Sequence, residues 1–272
     1  MNTKKRPASF YLLALFFVLF VLFLYGPTLT IAVLSFQGPE GGLTFPMRGV
    51  SLHWFAQLFE QQAVGDFASA LGRSLILGLL VMFCTVVFSL LAGMAFRKKF
   101  KGSAFVFYLS LTSLIIPSIL ISLGIGLMFD RLDISPQWFS SGFGAHLTWT
   151  LPFGLLIMFA LFNRFDPSYE MASADLGATH WQTFKFVLFP LLLPSLVGIG
   201  LFGFTLSYDE FARTLMTSGE FNTLPLELFA MTTNITSPVL YALGTLTTMI
   251  SFALIISAIV VIKLLNKHRA SR

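Results

Sequence analysis

Six long apolar runs leave little of this chain for anything but a membrane. They lie at about 10–36, 70–96, 103–129, 146–163, 191–212 and 238–265. A helix needs roughly 20 mostly apolar residues to cross the hydrocarbon core. Without the runs, too little of the 272 residues remains to bury a separate soluble core. Only 11% of the residues are charged and 56% are hydrophobic, whereas soluble domains are roughly a quarter charged. The expectation is a single all-α polytopic membrane domain, residues 1–272, with six transmembrane helices. The fourth run is interrupted by Pro152 and Gly154, which a span tolerates where neighbours satisfy the freed backbone groups. The fifth can begin as early as Phe184. The first follows Lys4, Lys5 and Arg6 like a signal peptide. Its apolar stretch is longer than an h-region of about 7–15 residues and no A-x-A site follows, so it reads as an uncleaved span. Cys84 is the one cysteine, so no intrachain disulfide forms.

Lysine and arginine in the connections set the orientation. One side holds Lys4, Lys5, Arg6, Arg97, Lys98, Lys99, Lys101, Arg164, Lys185, Lys267, Arg269 and Arg272; the other holds only Arg48, Arg73, Arg131 and Arg213. Both tails fall on the rich side, which requires an even number of spans and places both termini in the cytoplasm. Residues 37–69, 130–145 and 213–237 then face outward, and 97–102 and 164–190 face the cytoplasm. The basic residues are dispersed over tails and loops, which gives no reason to invoke nucleic acid. Anionic lipid headgroups account for part of the same bias.

The 164–190 connection carries strong helix punctuation. Asp166-Pro167 opens a helix, with the carboxylate capping free amides and proline tolerated at the first position. Glu170 suits the positive end of the helix dipole, and Gly177 suits the C-terminal end. Thr179 and Gln182 form a T-x-x-Q capping box for a second helix, which Pro190 and Pro194 kink into the fifth span. Ala172, Ser173, Leu176 and Ala178 are small or apolar and lie on a surface that lets a partner's backbone approach. An amphipathic helix lying on the bilayer is the alternative, but the segment lacks a basic polar face.

This stretch resembles the EAA loop of bacterial ABC importer permeases, whose pattern is E-A-A, then Gly, then I-x-L-P. Aligned on Gly177, Ala172 and Ser173 stand at the two alanines, and Val187, Phe189 and Pro190 at I-x-L-P. Asp175 and Leu176 complete a D-L-G triplet found in one branch. Met171 stands where the pattern has Glu, and Glu170 matches an acidic residue often found one position earlier. The resemblance extends along nearly the whole chain to permeases of the spermidine/putrescine type. Its carriers are Tyr25–Phe36, Ser51–Trp54, Arg73–Leu75, Phe204–Glu210 and Thr217–Leu226. It implies a type I ABC importer permease fold, in the second-permease branch, located in the bacterial inner membrane. The implied partners are a homologous second permease, an ABC ATPase dimer and an extracytoplasmic solute-binding protein. Glu170, Met171, Ala172, Ser173, Asp175, Leu176, Gly177 and Ala178 would form the ATPase-coupling surface. The chain has no GxxxxGK[ST], so ATP and Mg would reside on the partner and this chain would bind no cofactor and catalyse no reaction.

A second constellation, Ser207-Tyr208-Asp209-Glu210, ends the fifth span. Ionisable residues within a span usually face a protein interior or a water-filled path. Adjacent carboxylates point about 100° apart on a helix, so one can line a path while the other pairs with Arg213. In the polyamine branch the matching positions are acidic and associated with cation passage, and Asp209 is the better candidate. The alternative is that the span ends here with both carboxylates solvated. Trp54 matches an aromatic of the same branch and can hold an alkylammonium by cation–π attraction; anchoring at the headgroup level is the alternative. Ser118 follows Pro117 where that branch commonly has an acid, which keeps another small organic solute in view.

Gly124, Gly126, Gly198, Gly200 and Gly203 read as helix-packing positions. His53, His146, His180 and His268 are dispersed and lack metal-ligand spacing. Two other classes remain. A secondary transporter predicts ionisable residues spread over several spans and inverted repeats. A membrane enzyme predicts converging His, Asp or Ser at one face. Neither pattern is visible.

Overall fold

The computed structural model describes residues 7–59, 66–98, 100–234 and 237–270. Lys4, Lys5, Arg6, Lys99 and Arg272, which carry part of the orientation argument, lie outside the described residues. Among the described residues regular structure is helical: α1 (Ala8–Leu34), α2 (His53–Gln57), α3 (Phe67–Arg97), α4 (Ser103–Ile115), α5 (Ser118–Arg131), α6 (Phe143–Asn163), α7 (Ser168–Asp175), α8 (His180–Thr183), α9 (Phe189–Tyr208), α10 (Leu224–Asn234) and α11 (Val239–Ala270). An isolated antiparallel pairing joins Gln37 to Val50.

Five stretches of the described residues are long and apolar enough to cross a membrane: Ala8–Leu34, Phe67–Arg97, Trp138–Asn163, His180–Tyr208 and Val239–Ser257. The expected third span is not one straight helix. α4 and α5 meet at 106°, and counting them as one broken span makes six. Pro117 sits at the break; it has no amide to continue the ladder and disfavours helical geometry in the residue before it. The fourth span starts earlier than expected, in a π-helical turn at Trp138–Gly142 that runs into α6. The fifth is longer than expected: α8 passes through a π-helical turn at Phe184–Leu188 directly into α9. It also ends earlier, at Tyr208 rather than residue 212.

The chain forms two compact units. One comprises the described residues of Met1–Gly65 and Met231–Ile250, the other those of Asp66–Ala230 and Ser251–Arg272. In the first, Gln37 is fully buried. Its side chain donates to Gly42 O at 3.0 Å and accepts from Arg48 N at 2.9 Å, and Tyr241 donates to Leu43 O at 2.8 Å.

The second unit is built on α3, α6 and α9. The Asp66 carboxylate caps α3 by accepting from Ser69 N at 3.1 Å. One stripe of α3 is buried: Ala70, Ser74, Leu77, Gly78, Val81, Thr85, Ser89 and Gly93. Most of these are small, which lets helices approach where lipid offers no hydrophobic drive. A Cβ on Gly78 would meet the Phe204 ring at 2.9 Å, and one on Gly200 would meet Val86 Cγ2 at 3.1 Å. Thr85 and Thr150 share a buried hydroxyl hydrogen bond of 2.7 Å between α3 and α6. Met158, Leu192, Leu196 and Ile199 close the core between α6 and α9, while Ile76, Leu79, Leu80 and Phe83 face outward on α3.

Candidate functional site: a capped helix pair and a buried polar cluster

The helix pair forms as its sequence punctuation predicts. Asp166 Oδ1 accepts from Ser168 N at 2.9 Å, one residue earlier in the frame than expected, with Pro167 as N-cap. The amide and hydroxyl of Ser168 hold the exposed Asp166 carboxyl below its ordinary pKa. At the other end of α7, Gly177 N donates to Ala174 O at 2.8 Å and Ala178 N to Ser173 O at 3.1 Å. With Gly177 at φ +80°, this is a Schellman turn, whose left-handed residue glycine adopts without a Cβ penalty. The capping box is complete: Thr179 N donates to Gln182 Oε1 at 2.8 Å, and Gln182 N to Thr179 Oγ1 at 3.3 Å.

The surface of this pair differs in one respect from expectation. Ser173 is buried, not presented. Its hydroxyl donates to Glu170 O at 2.8 Å and lies 2.9 Å from Thr183 Oγ1, joining α7 to α8. Met171, Ala172, Asp175, Leu176 and Gly177 are exposed and Ala178 is half-buried; Leu176 stands out at 89% exposure. Glu170 accepts from Arg97 Nη1 at 2.6 Å. The Arg97 guanidinium lies 4.8 Å from the Phe162 ring centre and 5.4 Å from that of Phe165. Ser173, Leu176, Gly177, Ala178, Gln182 and Phe186 line an open pocket of ≈ 380 Å³.

The far end of α9 departs further. Ser207 and Tyr208 are buried. Ser207 Oγ is 2.7 Å from His146 Nδ1, and Tyr208 stacks on Phe204 at 5.7 Å. Asp209 is exposed just past the helix. Glu210 does not pair with the Arg213 guanidinium: Glu210 Oε1 accepts from the Arg213 backbone amide at 2.9 Å. Nor is Arg213 a loop charge. It is fully buried. Its Nη1 donates to Thr148 Oγ1 and its Nη2 to Ser113 O at 3.1 Å, while the guanidinium lies 4.9 Å from the Trp149 ring centre. The Ser113 carbonyl is available because its α-helical donor would be the amide of residue 117, a proline. Ser122 Oγ donates to Arg213 O at 2.9 Å and accepts from Met216 N at 3.0 Å. The turn after α9 is therefore bonded to both α4 and α5 across their bend.

His146 is a connector that its lone position in the sequence did not reveal; its Nε2 lies 2.9 Å from Thr214 Oγ1. Trp54 lies in α2, in the first unit, with its indole Nε1 buried and no hydrogen-bond partner among the described residues. The structure thus leaves Met171, Ala172, Asp175, Leu176 and Gly177 exposed on the helix pair, buries Ser173 beneath them, and sets Ser207 and Tyr208 into a core.

Comparison with known proteins agrees with this architecture. The chain is 27% identical over 250 residues to the spermidine/putrescine transport system permease protein PotC of Haemophilus influenzae, covering 92% of this chain and 95% of that one. It is 26% identical over 232 residues to the putrescine transport system permease protein PotI of Escherichia coli K12, covering 82% and 81%. In fold it is similar to a chain of a bacterial ABC transporter involved in import of the acidic polysaccharide alginate. That match has a TM-score of 0.64 at 16% identity and covers 96% of this chain and 99% of that one. A chain of the inward-facing MetNI methionine ABC transporter matches with a TM-score of 0.59 at 15% identity, covering 73% and 95%. Residues 85–270 match the family model described as binding-protein-dependent transport system inner membrane component, and the chain belongs to that family of ABC importer permeases.

Proposed function

We propose that this chain is one of two homologous permeases in an ATP-driven importer that moves spermidine, putrescine or related small organic amines into the cytoplasm. α7 and α8 seat an ABC ATPase dimer, which carries ATP and Mg. Met171, Ala172, Asp175, Leu176, Gly177 and Ala178 face that dimer, and Glu170 and Ser173 hold the pair in shape. Both termini lie in the cytoplasm, and an extracytoplasmic binding protein delivers solute to the opposite side of the inner membrane.

The observation that carries this reading is continuity. α8 runs without a break of helix into α9 and on to Tyr208, so a displacement of the loop pair is delivered along a rod through the bundle. ATP-driven closure of the dimer then rocks the spans between two openings. The curated relatives named for spermidine and putrescine support the solute class. Asp209, exposed at the rod's end, is the residue assigned to a passing ammonium, with Glu210 shaping the turn; Trp54, in the other unit, is assigned separately as an aromatic that can hold an alkylammonium. Ser118 as the first residue of α5, where polyamine permeases commonly have an acid, favours a second reading: a small organic solute with fewer positive charges.

Co-purification tests the first part. The chain should bring down an ATPase, and Gly177→Arg or Ala172→Asp should abolish transport. A chain that never holds an ATPase, with both variants transporting normally, would refute it. The solute that stimulates ATP hydrolysis in the reconstituted complex chooses between the two solute readings.

A further inference from the structure

We propose that Arg97 is a positioning residue for coupling: through Glu170 it ties α7 to the end of α3, so that a push on α7 enters the bundle by two routes. The inference rests on the reading of α7 and α8 as the ATPase seat.

α7 has eight residues, too few to hold its shape unaided in water. One anchor is local. The Ser173–Thr183 hydrogen bond and the glycine turn fasten α7 to α8, and through α8 to α9. The second anchor is distant in sequence. Glu170 meets Arg97 on the last turn of α3, at 2.6 Å. The pair is partly sheltered, with side-chain exposures of 23% for Arg97 and 32% for Glu170. The Phe162 and Phe165 rings flank the guanidinium, restricting its motion and weakening its hydration. A planar guanidinium suits that slot and an ammonium does not.

The two anchors load different parts of α3. α9 approaches α3 closely at its middle, through Gly200 against Met82 and Val86, Gly203 against Thr85, and Phe204 against Gly78. The last turns of α3 instead meet α6, where a Cβ on Gly93 would lie 2.9 Å from Met158 Cβ. Beside Arg97 lies a cavity of ≈ 360 Å³ whose lining includes Phe96, Phe107 and Phe159. Across this open cleft the Arg97–Glu170 ion pair is the side-chain bond that joins α7 to α3.

Importer complexes in lipid nanodiscs, with Cys84→Ala as background, test this. Spin labels go on Leu91→Cys of α3 or Phe202→Cys of α9, both exposed positions. Spectra are compared without nucleotide and after trapping with ATP and vanadate. In the parent both labels should respond. In R97Q and E170Q the Leu91 response should fall about fivefold while the Phe202 response stays within about twofold of the parent. R97K, which keeps charge but loses the planar fork, should fall between and serves if R97Q does not assemble. A parent-like Leu91 response in both single variants overturns the proposal. So does loss of response at both labels. A parent that holds an ATPase yet responds at neither label refutes the coupling reading itself, a result distinct from a responsive parent indifferent to Arg97.

Discussion

Replacing Arg213 with methionine asks whether a buried arginine without a carboxylate partner stabilises this bundle. Its side chain is fully buried. It supplies the donor that Pro117 denies to the Ser113 carbonyl, at 3.1 Å, and bonds the Thr148 hydroxyl. Methionine leaves that carbonyl without its donor, at about 1–3 kcal/mol for an unsatisfied buried group. It also forfeits the face of Trp149 at 4.9 Å, worth about 1–2 kcal/mol when desolvated. Removing the charge and its buried Nε, which has no hydrogen-bond partner among the described residues, returns about 1–2 kcal/mol, less than the two losses together. We expect a net loss of about 2–3 kcal/mol. At about 2–4 °C per kcal/mol for a domain of this size, the apparent Tm should fall by about 5–10 °C. Thermal unfolding of the detergent-solubilised protein, followed by tryptophan fluorescence, measures it. Arg213→Lys should lose about half as much, since an ammonium cannot reach both oxygens and stack. An Arg213→Met protein with a Tm equal to or above the parent would show that ion desolvation outweighs the bonds.

Gly126→Ala should destabilise by about 2 kcal/mol, because its Cβ would lie 2.7 Å from the Met216 backbone oxygen, whereas Gly124→Ala, with nothing within 4 Å, should be neutral or stabilising; the same melts compare them. Gly177→Val should cost about 1–3 kcal/mol of strain at φ +80° and weaken ATPase co-purification severalfold, while an unchanged yield would remove the Schellman turn from the coupling argument. Thr179→Ala should cost about 1 kcal/mol by opening the capping box, read as faster proteolysis of the 164–190 segment. Asp209→Asn in a normally assembled complex should lower spermidine uptake by about tenfold if its charge steadies a passing ammonium; parent-like uptake would take Asp209 out of the path.

Local chemistry accounts for what the primary structure determined. Apolar runs of bilayer length require spanning helices because lipid offers backbone groups no partners, and among the described residues five such stretches and one bent pair form. The α7–α8 pair was equally legible. Caps and glycine turns are satisfied within a few residues, so Gly177, Thr179 and Gln182 act as their spacing predicts, and Asp166 accepts from Ser168 N one position before the Pro167 N-cap.

What depends on groups far apart in the chain only the tertiary structure decided. Glu210 and Arg213 sit at salt-bridge spacing on a helix, but the helix stops at Tyr208. Arg213 instead turns inward to Ser113, 100 residues away along the chain, and to Thr148. Ser173 looked like a surface residue until Thr183 folded over it. His146, one of four scattered histidines, gained meaning only when Ser207 and Thr214 arrived on either side of its ring. Spacing along a chain predicts neighbours within a helix turn. It cannot predict which helix presents the carbonyl that a distant proline left bare, because that partner is set by how the spans pack.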